Sequence, residues 1–230
     1  MPAYFSLVVE CSKNCSENDL ILDFYTLLTE NGLTYLGGCS DNTANCSLNE
    51  IAAKNHGYLL NDKNSKNAEK YMFDFLQAEF QYSDFHETHV SLLDDPDDDF
   101  FTFDLIIPED DLVIGNFKKV YWDREKINKL LDLAKQIWGK KYVNSIQTEL
   151  EISEGFCSVD EITKGSKPSV EPFAILPEKA ISNRIHEFPV FGQADRGGVI
   201  LLNWNAANFE WNILPENWKK RIMNSDRFFY

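Results

Sequence analysis

The chain has 230 residues, of which 43% are hydrophobic and 26% are charged, and its formal net charge is −15. This length and apolar content suffice for an ordinary hydrophobic core and exclude collagen, coiled coils and disulfide-stapled mini-proteins. No apolar run reaches the ~18 to 20 residues that cross a bilayer, and residues 1–10 lack the pattern of a secretory signal. We therefore expect a soluble, cytoplasmic protein with one domain over residues 1–230.

The negative charge is concentrated in one segment. Residues 71–117 contain 13 Asp or Glu and no Lys or Arg, whereas the rest of the chain has 24 acidic and 22 basic residues. Such a segment would repel nucleic-acid phosphates and anionic lipid headgroups, which disfavours both as partners. A basic protein is the partner class that this charge favours.

The chain begins with a strand pattern followed by two helix patterns. Residues 3–9 are rich in β-branched and aromatic residues, which predicts a strand. Ser16 is a candidate N-cap for a helix that extends to Gly32. Ser47, with Glu50 three residues later, predicts a capping box at the start of a second helix.

Gly57 is expected to end the second helix, and apolar spacing predicts a third helix over residues 67–80.

The acidic segment contains a predicted hairpin. Residues 89–93 and 100–107 have strand patterns, so the Asp-rich stretch between them is expected to form the turn of a β-hairpin.

The second half of the chain contains one strong helix pattern. Asp123 is the predicted cap of this helix and Gly139 its end. Residues 146–152 and 198–204 are predicted strands. Pro215 is expected to open a short terminal helix, because proline is favoured in a first turn.

Helix and strand patterns alternate without a regular βαβ rhythm. This predicts an α+β fold in a single compact domain, with an antiparallel or mixed sheet and about four to five helices. Residues 153–189 contain four prolines and few periodic apolar residues, so we expect a long irregular connection there.

The cysteines and histidines give weak catalytic signals. The Cys11, Cys15, Cys39 and Cys46 spacing is poor for structural zinc, so we expect reduced thiols and no metal. Pairing of Cys39 or Cys157 with His56 or His186 as a nucleophilic couple has no local motif to support it.

His86-Glu87-Thr88-His89 is one residue short of the His-Glu-x-x-His zinc pattern, and no phosphate-binding or dinucleotide-binding glycine motif is present. We therefore predict no cofactor. A metal-dependent or His/carboxylate hydrolase that uses this region remains the alternative function.

The acidic turn itself allows three interpretations: a solvated turn, a surface that steers a basic partner, or a divalent cation site without the glycine and terminal glutamate of a calcium loop. Our leading hypothesis is a cytoplasmic binding protein that neutralises a basic protein, such as a toxin or nuclease domain, in the manner of a toxin-immunity inhibitor. An aromatic side chain, Phe100 or Phe85, is expected to anchor the contact. The predicted partner-binding residues are Asp94, Asp95, Asp97, Asp98, Asp99, Phe100, Glu109, Asp110 and Asp111.

Overall fold

The predicted α+β fold is confirmed by a large antiparallel sheet with helices packed on it. The computed structural model describes residues 4–13, 20–40, 43–61, 77–94, 98–116, 119–151 and 155–204. Nine strands form the sheet in the order β10-β11-β9-β8-β1-β5-β4-β3-β2, and β6 and β7 form a separate hairpin. The strands are β1 Tyr4–Ser12, β2 Leu33–Gly38, β3 Ala78–Tyr82, β4 Thr88–Asp94, β5 Phe100–Pro108, β6 Val113–Asn116, β7 Lys119–Trp122, β8 Val143–Leu150, β9 Phe173–Pro177, β10 Val190–Ala194 and β11 Gly198–Leu202.

Helices cover both faces of this sheet. The α-helices of the described residues are α1 Leu20–Glu30, α2 Leu48–Asn61, α3 Arg124–Trp138, α4 Val159–Lys164 and α5 Glu178–Ile181, and short 3₁₀ helices span Glu109–Asp111, Ser182–Glu187 and Asp195–Gly197. In the described part of the chain, no helix combines the length and the apolar character that crossing a membrane requires.

Alternation along the strands separates the two faces. We call the face against α1, α2 and α3 the helical face; it holds the main core, including Phe5, Leu7 and Val9 of β1. The opposite face, which we call the polar face, packs against α4 and α5 through a smaller apolar cluster near β9 and β11. Towards the middle of the sheet the polar face carries side chains such as Glu10 and Gln147, which are buried although they are polar.

Local capping signals predict the helices correctly. The Asp123 carboxylate accepts hydrogen bonds from the backbone N–H groups of Glu125 and Lys126, and α3 ends before Gly139, as predicted. The capping box at Ser47 and Glu50 is also present, with Glu50 Oε2 2.7 Å from the Ser47 backbone nitrogen.

The predicted end of α2 at Gly57 is wrong. The helix continues to Asn61, and Gly57 has no positive φ that would mark a left-handed cap. An interior glycine costs a helix only ~1 kcal/mol relative to alanine, so a glycine alone need not stop it.

The helix predicted over residues 67–80 is contradicted at its end. Ala78–Tyr82 is strand β3, and Ala78, Phe80 and Tyr82 are buried at a spacing of two. Pairing of β3 with both β2 and β4 favours the strand, because each neighbour satisfies backbone groups that a helix would satisfy internally. The rest of that prediction lies outside the described residues.

The range 153–189 is more regular than predicted. It contains α4, which begins with a capping box between Ser158 and Glu161, and α5. It also contains β9, which lies between β8 and β11 in the sheet. Four successive buried residues, 173–176, explain why no alternating strand pattern is visible, since β9 is covered on both faces. The predicted cap at Ser16 and the helix after Pro215 lie outside the described residues.

Candidate functional site

The acidic turn of the β4–β5 hairpin is held in place by one lysine. We call Asp94, Asp98 and Asp99 the acidic tip; Asp95 and Asp97 lie outside the described residues. Lys13 follows β1, whose last residue pairs with the first residue of β5. Lys13 Nζ lies 2.5 Å from Asp94 Oδ1 and donates to the Asp98 carbonyl at 2.8 Å. The Lys13 backbone N–H donates to the Asp99 carbonyl at 3.0 Å, so three contacts fix the tip against β1.

The charge that remains available at the tip comes from two residues. The Asp94 side chain is mostly buried and is neutralised by Lys13. Asp98 and Asp99 are exposed, and the described residues provide no ion pair to either carboxylate. Within the described part of the chain, the tip therefore presents two adjacent negative charges without an ion-pair partner, on a backbone that Lys13 fixes.

The two aromatic residues expected to flank this charge have different environments. Phe100 is half-buried and its ring centroid lies 6.1 Å from that of Phe156. Phe85 belongs to the main core and cannot reach a partner without unfolding. Leu93, next to Asp94 on β4, is an exposed apolar side chain at the tip that the sequence did not single out.

The second predicted acidic group, Glu109 to Asp111, lies at the opposite end of β5. Because β5 has nine residues, the two groups are separated by about 30 Å along the strand. Glu109 and Asp111 are only 4% and 2% exposed. Asp111 Oδ2 accepts a hydrogen bond from the His86 backbone N–H at 2.8 Å, and Oδ1 contacts His86 Nδ1. The structure therefore divides the predicted contact set, and Glu109 and Asp111 do not belong to its exposed part.

A cleft of about 570 Å³ lies beside the acidic tip. Its wall carries both acidic and basic side chains, among them Asp99, Glu10, Lys179 and Arg196. Glu10 is buried, and its carboxylate accepts hydrogen bonds from Ser145 Oγ at 3.1 Å and from the Val159 backbone N–H at 2.9 Å. Burial raises the pKa of Glu10. This carboxylate ties β1 and β8 to the start of α4 and so shapes the floor of the cleft.

Two further carboxylates, Asp104 and Glu149, are partly buried on the polar face. Desolvation raises the pKa of Asp104, in the middle of β5, to about 7, and the nearby charge of Glu149 adds to this shift. Burial also raises the pKa of Glu149, against a hydrogen bond from the Phe156 backbone. Segment 155–159 crosses these strands, and hydrogen bonds from side chains to its backbone hold it there. For example, Gln147 Nε2 donates to the Cys157 carbonyl at 2.6 Å.

The two histidines of the His-Glu-x-His sequence have different partners. His86 contacts Asp111, whereas His89 lies between Cys39 and Glu87. Cys39 Sγ is 3.1 Å from His89 Nδ1, and Glu87 Oε1 is 2.5 Å from His89 Nε2. Within the described ranges, no three His, Cys, Asp or Glu side chains are arranged to hold a metal ion.

The contact of Cys39 with His89 differs from the sequence-based prediction, in which His56 and His186 are the candidate partners of Cys39. The two residues are 50 positions apart and meet because β2, β3 and β4 are neighbours in the sheet. Only the correct assignment of β3 as a strand could have brought them together.

Comparisons with protein-family models, with curated proteins and with solved structures each gave no match.

Proposed function

We propose that this protein binds a basic protein partner through its acidic tip and blocks that partner's activity, in the manner of a toxin-immunity inhibitor. The observation that carries the proposal is the pair of exposed, unneutralised carboxylates of Asp98 and Asp99 on a backbone that Lys13 fixes. A surface of this kind attracts Lys and Arg side chains and raises the rate of association by roughly tenfold to a thousandfold.

The fixed geometry of the acidic tip also favours the affinity of the complex. A loop that is ordered before binding loses less conformational entropy when the complex forms. Lys13 neutralises Asp94 inside the tip, which limits self-repulsion there. Asp98 and Asp99 keep their charge for the partner.

The surroundings of the tip suit a basic side chain that carries an apolar stem. Leu93 supplies exposed apolar surface next to the charges, and Asp99 lines the adjoining cleft, whose wall also carries Lys179 and Arg196. An Arg or Lys of the partner could place its aliphatic part against Leu93 and its charge at Asp99. Basic toxins and nuclease domains are partners of this charge type.

A cytoplasmic location belongs to the same proposal. Cys39 and Cys46 are free thiols, which is typical of a reducing compartment.

The experiment uses paired variants with the same change in net charge. Asp98→Asn with Asp99→Asn removes the free charge of the tip. The control, Glu125→Gln with Asp132→Asn, removes two charges from the outer surface of α3, where these side chains are 84% and 73% exposed.

The wild-type chain and both variants are immobilised and used to capture proteins from an extract of the native host. We expect a basic protein, identified by mass spectrometry, that the wild type and the α3 control retain and the tip variant loses. Addition of the wild-type chain, and not of the tip variant, should suppress that protein's activity. Equal retention and equal inhibition by the tip variant would contradict the proposal.

A further inference from the structure

Cys39 directly follows β2, the edge strand of the sheet, and is an exposed residue whose sulfur is partly covered by its neighbours. Its sulfur is 3.1 Å from His89 Nδ1, and the other ring nitrogen, Nε2, is 2.5 Å from Glu87 Oε1. A thiol, an imidazole and a carboxylate thus form a continuous chain of contacts on the polar face. This order of groups is the one in which a base activates a nucleophile while a third group orients the base.

The backbone around Cys39 is fixed by close packing. A Cβ at Gly37 would lie 2.3 Å from the Ala44 carbonyl oxygen, and one at Gly38 would lie 2.2 Å from Thr43 Oγ1. Both positions therefore require glycine. Because the backbone at Gly37 and Gly38 packs this closely against Ala44 and Thr43, it has little room to move, and the Cys39 sulfur stays close to His89 Nδ1.

The proton positions follow from the partners. The Glu87 carboxylate can only accept, so His89 Nε2 carries a proton and donates it, and Nδ1 is left to accept from the Cys39 S–H. Burial, together with the charges of Glu79 and Glu87, raises the pKa of Cys39 to about 11. The resting group is therefore a thiol, and a thiolate forms when His89 removes its proton.

Among the described residues, the backbone N–H groups from Gly38 to Ser40 are already occupied. The Gly38 N–H donates to the Thr43 carbonyl, the Cys39 N–H to the Gln77 carbonyl and the Ser40 N–H to Thr43 Oγ1. Acyl transfer needs such donors for the oxyanion of its tetrahedral intermediate. Exchange between a thiol and a disulfide places the developing charge on a leaving sulfur and has no such requirement.

We propose that Cys39 is a thiol-modification site that exchanges with low-molecular-weight disulfides, with His89 as the base. In the step, the Cys39 S–H proton passes to His89 Nδ1 and the sulfur attacks one sulfur of the disulfide. A new S–S bond forms to Cys39 while the original S–S bond breaks. The released thiolate takes the proton from His89 and leaves as a thiol, so no other oxidant is consumed.

The test measures mixed-disulfide formation on the full chain with oxidised glutathione as the probe, followed residue by residue with peptide mass spectrometry. We expect Cys39 to be the fastest of the described cysteines. His89→Gln should slow the reaction at Cys39 by about tenfold or more, since a positioned base contributes at least that much. His86→Gln is the matched control and should leave the rate unchanged, because His86 contacts Asp111 instead.

A second variant distinguishes two roles of Glu87, which are to orient the His89 ring and to change the pKa of Cys39 through its charge. Glu87→Leu removes both the acceptor of the His89 hydrogen bond and a negative charge that raises the pKa of Cys39, so a purely electrostatic role predicts faster exchange. If Glu87 orients His89, exchange becomes slower. Cys11, which is fully buried, should stay unmodified in every variant that folds. An unchanged rate in His89→Gln, or a faster rate in Glu87→Leu, would overturn the proposal.

Discussion

The two ends of β5 have similar acidic sequences and opposite environments. At the first end, Asp98 and Asp99 are exposed on a tip that Lys13 fixes. At the other end, Glu109 and Asp111 are buried, and Asp111 is bonded to His86. A carboxylate leaves water only when other groups replace its hydration, so the buried end serves folding and the exposed end is available for contact. Clustered charge in a sequence therefore does not by itself define a surface.

The largest effect is expected at the buried end. Asp111→Ala removes the acceptor of the His86 backbone N–H, and we expect the free energy of unfolding to fall by about 2 to 3 kcal/mol. Asp98→Ala at the exposed end should change it by less than about 0.5 kcal/mol. Urea denaturation of both variants measures the difference. Equal losses in the free energy of unfolding would contradict the separate roles of the two ends of β5.

Asp104 lies between the two ends and is expected to make stability depend on pH. Its pKa is about 7 in the folded chain against 3.8 ordinarily, so the folded state binds the extra proton between these values. Stability therefore falls as pH rises through this range, by at most about 1.4 kcal/mol per pH unit.

Asp104→Asn should remove this pH dependence. We expect the free energy of unfolding of the variant to exceed that of the wild type by about 1 to 2 kcal/mol at pH 8, where burial of the carboxylate is costly. Near pH 4 the two values should be equal. Denaturation curves at both pH values measure this. If the wild type instead gained stability relative to Asp104→Asn between pH 5 and pH 8, the predicted direction of the pH dependence would be wrong.

Lys13→Met tests what holds the exposed end in place. The substitution leaves the mostly buried Asp94 without its lysine, and we expect a loss of about 1 kcal/mol together with faster amide hydrogen exchange in residues 98–100. Lys135→Met, which breaks an exposed pair with Asp132, should cost less than about 0.5 kcal/mol. Unchanged exchange at the tip in Lys13→Met would mean that the tip does not depend on Lys13.

The sequence predicts those elements whose signals are local. Asp123 caps α3 and the β4–β5 pairing follows from two adjacent strand patterns, so both are confirmed. Strand β9 has no alternating pattern, because residues 173–176 are buried on both faces. Strand β3 does alternate, at Ala78, Phe80 and Tyr82, but its first three residues also fit the apolar spacing of the helix predicted over residues 67–80.

The candidate site was predictable only in part. The Asp run identifies the tip, but no pattern indicates that Lys13 neutralises Asp94 or that Asp111 is buried. Both facts depend on where β1 and the segment around His86 lie in space. The contact between Cys39 and His89 depends in the same way on strand order.

The most direct test of the proposed contact is the rate at which the captured partner associates with the wild type and with the Asp98→Asn, Asp99→Asn variant over a series of salt concentrations. If the tip steers the partner, the wild-type rate falls steeply with salt, while the variant associates at least about tenfold more slowly at low salt and with a flatter dependence. The Glu125→Gln, Asp132→Asn control should follow the wild type. A tip variant with the wild-type rate and the wild-type salt dependence would contradict the account.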